Sequence, residues 1–139
     1  MAVFIDTNVP MYAAGAPHPL KEPALRCLDA VASGRLEAWT DAEVFQEILH
    51  RYFSIGARIV GLQIFDRFLQ IMSPNQVLPV TVEDVRRARE LAEAYPQLSP
   101  RDCIHAAVAE RAGLREIVTA DRAFDAIPFL RRIPLEDFR

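Results

Sequence analysis

Residues 2–8, Ala-Val-Phe-Ile-Asp-Thr-Asn, constrain this chain more than any other stretch. Four apolar residues in a row, with no polar alternation, describe a strand covered on both faces. Such strands belong to parallel sheets flanked by helices. Asp6 then ends the run. An unpaired buried carboxylate loses its hydration at high cost, so Asp6 should stand at the strand's end, facing water or a cation. In open α/β sheets that edge is where ligands bind.

The remaining chain alternates strands and helices. Asn8 to Gly15 reads as a short helix that tolerates Pro10 near its start. Leu20 to Ser33 has apolar residues at helical spacing and stops at Gly34. Leu36 to Trp39 is a short strand. Thr40-Asp41-Ala42-Glu43 has the capping-box form, with Thr40 as cap and Glu43 as its partner, and opens a helix through Val44, Ile48 and Tyr52. Arg58 to Met72 is a further amphipathic helix. Gln76 to Val80 is a strand at the sheet edge, because Pro79 cannot donate to a ladder. Thr81 to Asp84 caps a helix whose inner face is read as Val82, Val85, Ala88, Leu91 and Ala92. Ser99 caps another, with Pro100 in its first turn. Glu116 to Thr119 is a strand ending near Asp121, and Arg132-Ile133 is a last short one. This pattern predicts one domain, residues 1–139, with a three-layer α/β/α sandwich built on a central parallel sheet.

Composition narrows the function classes. No apolar run reaches the ~20 residues of a membrane helix, and no basic segment precedes Val3 as in a secretory leader. A cytoplasmic location is therefore expected, with Cys27 and Cys103 as buried thiols on separate helices. The formal net charge of −3 argues weakly against a nucleic-acid partner. Acids that converge on cations would invert the local sign.

Asp6 and Asp121 end parallel strands and can meet at one edge of the sheet. Glu47 lies in the second turn of a helix that follows a strand directly, near the same edge. Asp102, in the first turn of its helix, is equally placed to close a capping box with Ser99. Asp121 is equally readable as a turn residue. Carboxylates brought together tend to hold their protons unless cations are present. Hard oxygen donors suit Mg²⁺ or Mn²⁺. Zinc is disfavoured, since His18, His50 and His105 lack paired ligand spacing and the cysteines are isolated.

Phe4-Ile5-Asp6-Thr7-Asn8, Thr40 with Glu47-Ile48-Leu49, Arg101-Asp102-Cys103-Ile104-His105-Ala106-Ala107 and Val118-Thr119-Ala120-Asp121 together resemble the PIN domain. They are most similar to the small VapC-type ribonuclease toxins of type II toxin–antitoxin pairs. The resemblance runs in order along the whole chain. It implies a Mg²⁺- or Mn²⁺-dependent endoribonuclease, with Asp6, Glu47, Asp102 and Asp121 as catalytic and metal-holding acids. Asn8 and Thr119 match polar neighbours of the metal. Asp125 is readable as an acid just outside the ligands or as an ordinary helix-end residue. Arg101, beside Asp102, is the first choice among the arginines for guiding RNA phosphates, ahead of Arg111, Arg115, Arg131 and Arg132.

The same resemblance implies a homodimer and a small antitoxin partner. A groove lined by Phe45, Leu49, Tyr52, Phe53, Ile59 and Phe65 would receive an amphipathic helix, although these side chains are equally readable as core. The competing reading is a PIN-fold adaptor that binds RNA or protein without cutting; the complete acid set counts against it. A phosphoacceptor domain would want a second acid at position 8 and a lysine near a later strand. Position 8 is Asn, and Lys21 is the only lysine.

Overall fold

The computed structural model describes residues 2–139. Five parallel strands form one sheet in the order β3-β2-β1-β4-β5. They are β1 (Ala2–Ile5), β2 (Glu37–Asp41), β3 (Val77–Leu78), β4 (Glu116–Thr119) and β5 (Arg131–Pro134). Six helices complete the α/β/α layers: α1 (Asn8–Ala14), α2 (Lys21–Ala32), α3 (Ala42–Ser54), α4 (Arg58–Met72), α5 (Val82–Ala94) and α6 (Pro100–Arg111). They pack in sequential pairs, α1 on α2, α3 on α4 and α5 on α6. Among the described residues no helix is long and apolar enough to cross a membrane.

The apolar run after Met1 is the centre of the sheet. β1 pairs with β2 on one side and β4 on the other, and Phe4, Ile5, Ile117 and Val118 are wholly buried. A strand flanked on both sides and covered on both faces has no place for polar side chains, which is why its sequence shows no alternation. β3 lies at one edge and stops before Pro79, as its proline requires. Cys27 on α2 and Cys103 on α6 are buried free thiols.

α3 starts one residue later than the sequence suggests. Thr40 stays in the strand, paired with Val77, and its hydroxyl donates to the Ile5 carbonyl at 2.9 Å. The cap is Asp41, whose carboxylate accepts from the Val44 amide at 3.0 Å. Both residues are good caps, and the partner waiting on β1 decides between them.

The inner face of α5 is also rotated from expectation. Val82 and Val85 are exposed, whereas Asp84, Ala88 and Leu91 are buried. Asp84 closes a capping box with Thr81 and is gripped by Arg111 of α6 at 2.8 and 3.1 Å. A charged group paired on two sides pulls its face of the helix inward at the expense of two valines.

The α3–α4 face expected as a groove divides in two. Phe45 is core, packed edge-on to Phe65 and stacked on Phe68. Phe53 and Ile59, with Ile55, Val60 and Leu62, are exposed at the tip of the hairpin. The two helices approach closely at Gly61, where an added Cβ would lie 2.6 Å from the Tyr52 Cβ.

Asp84 offers a test of this packing. Burial opposes its charge, but the Arg111 and Thr81 bonds hold its pKa below the ordinary carboxylate value. Its contribution is therefore present above the unfolded pKa of about 3.9 and is lost as pH falls through the lower folded value. Asp84→Ala should cost about 2–3 kcal/mol in urea denaturation at pH 7, from cap and ion pair together. At pH 3 the gap to wild type should narrow.

Candidate active site

The carboxyl ends of β1 and β4 are tied together by side chains. Asp6 continues the β1 ladder by donating its amide to the Val118 carbonyl at 3.1 Å. Its Oδ2 accepts from the Thr119 hydroxyl at 2.7 Å and from Asn8 Nδ2 at 3.3 Å, and its Oδ1 accepts from the Thr7 amide at 2.7 Å. Asn8 also donates to Thr119 Oγ1 at 3.0 Å and accepts from the Ala120 amide at 3.2 Å. Thr119 Oγ1 further accepts from the Asp121 amide at 3.0 Å. Asn8 and Thr119 thus hold the two strand ends in register and leave the Asp121 carboxylate beside Asp6. Asp121 in turn caps the short 3₁₀ turn Arg122–Ala126, its Oδ1 accepting from the Ala123 amide at 2.9 Å.

Helices bring the other two acids. Glu47, on the second turn of α3, accepts from the Thr7 hydroxyl at 2.9 Å. Asp102 has its amide capped by Ser99 Oγ at 3.2 Å, and its own carboxyl turns to the cleft. Asp6, Glu47, Asp102 and Asp121 all line one cavity of about 350 Å³, together with Asn8, Met11, Tyr12, Arg51 and Tyr52.

Asp125 and Arg101 are not among these lining residues. The Asp125 carboxylate takes hydrogen bonds from Arg132 at 2.9 and 3.3 Å. Arg101 acts at longer range, helping to lower the Glu47 pKa. Arg111 and Arg131, also weighed as phosphate guides, are engaged by Asp84 and Glu116.

His105, quoted within the Asp102 motif, and Asp41, read only as part of a capping stretch, have no site role in the sequence reading. His105, on α6 one turn after Asp102, is wholly buried under the cleft. Its Nδ1 lies 2.8 Å from Asp41 Oδ2, and its Nε2 faces Glu47 Oε1 at 3.4 Å and Asp6 Oδ1 at 3.8 Å. Burial works against a charged imidazole. The Asp41 carboxylate and its hydrogen bond, with Glu47 and Asp6 beyond, nevertheless raise its pKa well above the usual histidine value. The one available signal was a histidine three residues after Asp102 among small apolar neighbours. Such a residue is buried, and a buried imidazole needs a partner.

The electrostatics of the acids differ. Burial raises the Asp6 pKa despite the opposing pull of His105, Thr119 and Thr7. Burial pushes Glu47 the same way, but His105, Thr7 and Arg101 more than reverse it. The Asp102 carboxyl is pushed up to about 7 by burial and by Asp6 and Asp121. Among the described residues no group of three or more His, Cys, Asp or Glu side chains is placed to hold a metal ion as it stands. The acids stand around an open space instead. Four hard carboxylates around one cleft, with Asp102 pushed upward by burial and by its acidic neighbours, suit a divalent cation such as Mg²⁺ or Mn²⁺ that keeps part of its water.

A parallel sheet whose strand ends and flanking helices deliver carboxylates to one cleft defines the class: an α/β domain with an acid-based site. Residues 3–130 match the PIN domain family. Ribonuclease VapC13 of Mycobacterium tuberculosis is 39% identical over 131 residues, 94% of this chain and 98% of that protein. Ribonuclease VapC23 of the same species is 36% identical over 120 residues, covering 86% and 92%. Among solved structures, a chain of VapBC2 from Rickettsia felis, bound to a promoter DNA fragment, aligns with TM-score 0.74 at 17% identity, covering 96% and 98%. VapC20 of M. tuberculosis, described as a sarcin-ricin loop cleaving toxin, aligns with TM-score 0.73 at 19% identity, covering 91% and 95%. The chain belongs to the PIN-domain family and, within it, to the VapC type.

Removing one member of a buried charge pair strands the other. Asp41→Ala, which also uncaps α3, should therefore cost about 3–5 kcal/mol in urea denaturation. A loss under 1 kcal/mol would show that Asp41 and His105 do not support each other.

Proposed function

We propose that this chain is a divalent-cation-dependent endoribonuclease, the toxin of a type II toxin–antitoxin pair. The observation that carries the reading is the convergence of Asp6, Glu47, Asp102 and Asp121 on one cleft. Relatives named as ribonucleases, at 36–39% identity over most of the chain, supply the reaction class.

Mg²⁺ or Mn²⁺ bound there would supply an acidified water and charge neutralisation at the phosphodiester. Asp6, Asp102 and Asp121 are the residues that would hold the cation, with Glu47 holding a second ion or a water. Thr119, Asn8 and Thr7 fix the Asp6 carboxylate so that its lone pairs do not reorient when substrate enters. His105 does the same for Glu47, from beneath. Glu47, with its lowered pKa, remains an ionised acceptor at neutral pH. Asp102, titrating near 7, is the acid whose proton a cation would displace.

A small antitoxin is the partner this reading brings, in keeping with the VapBC complexes among the structural neighbours. The exposed tip of α3–α4, with Ile55 and Ile59 at 64% and 71% exposure, suits an amphipathic segment from it. A cytoplasmic location, where such an RNA substrate would be met, belongs to the same proposal. A homodimer is part of the same proposal.

Cleavage of a labelled RNA panel that includes tRNAs should require Mg²⁺ or Mn²⁺ and stop in EDTA. Asp6→Asn should lower the rate at least 100-fold, the scale of losing a main electrostatic element, while the circular dichroism spectrum stays unchanged. Normal cutting by Asp6→Asn, or cutting in EDTA, would overturn the metal-site assignment. No cutting of any RNA by folded, Mg²⁺-loaded, partner-free protein would favour the adaptor reading.

A further inference from the structure

The cleft has a second wall that the carboxylate chemistry does not use. Met11 and Tyr12 follow Asn8 on α1, and Arg51 and Tyr52 follow Glu47 on α3; all four line the same cavity as the acids. Residues four apart on a helix share a face and lie about 6 Å apart along its axis. Tyr12 therefore stands one turn beyond Asn8, and Arg51 one turn beyond Glu47. The second wall adjoins the acids without overlapping them.

Arg51 is the only basic side chain among the cavity's described lining residues, and it forms no ion pair among the described residues. Glu47 stands four residues before it, at helical pairing distance, yet turns to Thr7 and His105 instead. Some arginines, among them Arg35, Arg89 and Arg132, rest on a carboxylate, and others, such as Arg101, are unpaired among the described residues but do not line this cavity. Arg51 thus keeps its planar set of donors open at an otherwise acidic cleft. A guanidinium so placed matches the paired oxygens of a phosphodiester.

The rings beside it are held. Tyr12 packs against the His18 imidazole with centroids 4.7 Å apart. Tyr52 is pinned at its Cβ by the close passage of Gly61. Burial raises its phenol pKa although the neighbouring Arg51 charge pulls the other way, so the ring is neutral at pH 7. Aromatic faces beside a guanidinium form the stacking platform that proteins present to unpaired bases. A paired base has its faces covered by its neighbours in the duplex and cannot use such a platform.

We propose that Arg51, Tyr12 and Tyr52 form a nucleotide subsite beside the acids, Arg51 taking a backbone phosphate and the rings an unpaired base. The assignment rests on the endoribonuclease reading and adds to it the residues that select single-stranded RNA. An acidic peptide from a protein partner would satisfy Arg51 alone. It would leave the two rings without a role, and RNA accounts for all three side chains.

The test is fluorescence anisotropy in EDTA, where no cutting is expected, with labelled ten-nucleotide poly(U) and poly(A) RNA over a range of NaCl. An RNA duplex of the same length and a labelled poly-glutamate decapeptide serve as comparisons. Arg51 is exposed, so Arg51→Ala should melt with the wild type. It should bind the unpaired RNAs about tenfold more weakly, and the slope of log K against log salt should shrink by about 0.7, one phosphate's worth. Arg51→Lys should recover the slope. Tyr12→Leu should weaken binding at least fivefold with the slope unchanged, and Tyr12→Phe should match wild type, because stacking needs the ring and not the hydroxyl. Tyr12 carries this arm because Tyr52 also packs against α4.

Unchanged affinity and slope in Arg51→Ala, with wild-type cutting intact, would overturn the subsite and leave the endoribonuclease standing. Equal loss of duplex and single-strand binding would overturn the selection of unpaired bases. Loss confined to poly-glutamate would hand Arg51 to a protein partner. Failure of the wild type to bind these RNAs would overturn the subsite, and the separate cleavage panel would then decide the fate of the activity.

Discussion

The hydroxyl of Thr119 donating to Asp6 is the contact on which the cleft depends. It joins the ends of two central strands at the point where the backbone ladder runs out. Without it, a carboxylate only 4% exposed would have one oxygen answered only by the longer bond from Asn8, at 3.3 Å. Asn8 locks the same junction by giving one hydrogen to each partner and accepting from the next strand's turn. Three short polar side chains thereby do at the sheet edge what backbone bonds do inside it. Among the described residues no buried side-chain nitrogen or oxygen lacks a partner.

The other side of the cleft is held by charge. Asp41 caps α3 and grips His105, and His105 reaches Glu47 two turns along the same helix. One imidazole from α6 therefore fixes both the start of α3 and its acid. Buried ionic groups of this kind add little to stability in comparison with apolar packing. Their use here is positional: they set the distance between α3 and α6, and so between Glu47 and Asp102. A core made only of alanine and leucine at these positions could pack as well but would not specify that distance.

Local signals made much of this legible in the sequence. The run from Ala2 to Ile5 announced a central parallel strand, and the alternation of strands and helices announced the layers. The caps at Ser99 and Thr81 are where a Ser or Thr precedes an acid by three residues. Each of the four acids sits at a strand end or an early helical turn, but those positions alone left Asp102 and Asp121 open to capping and turn roles, and the resemblance to the PIN domain singled out the set. What failed depends on residues far apart in the chain. Thr40, read as the cap of α3, is kept in the strand by the Ile5 carbonyl, 35 positions away, and the cap falls to Asp41. Val82 and Val85 yielded the inner face of α5 to Asp84 because Arg111 lay opposite. His105 and Asp41 are separated by 64 positions and carry no spacing that links them. Tyr52 fitted a helical stripe, and periodicity cannot distinguish a ring that packs in a core from one that borders a cleft.

The junction of Asp6 and Thr119 spans 113 positions of a 139-residue chain. Asp6 leaves the ribosome 113 positions ahead of Thr119. β1 cannot take its place between β2 and β4 until β4 has emerged. The order of the strands therefore acts as a delay: a nascent chain that stops short of β4 holds Asp6 and Glu47 but has no cleft to put them in.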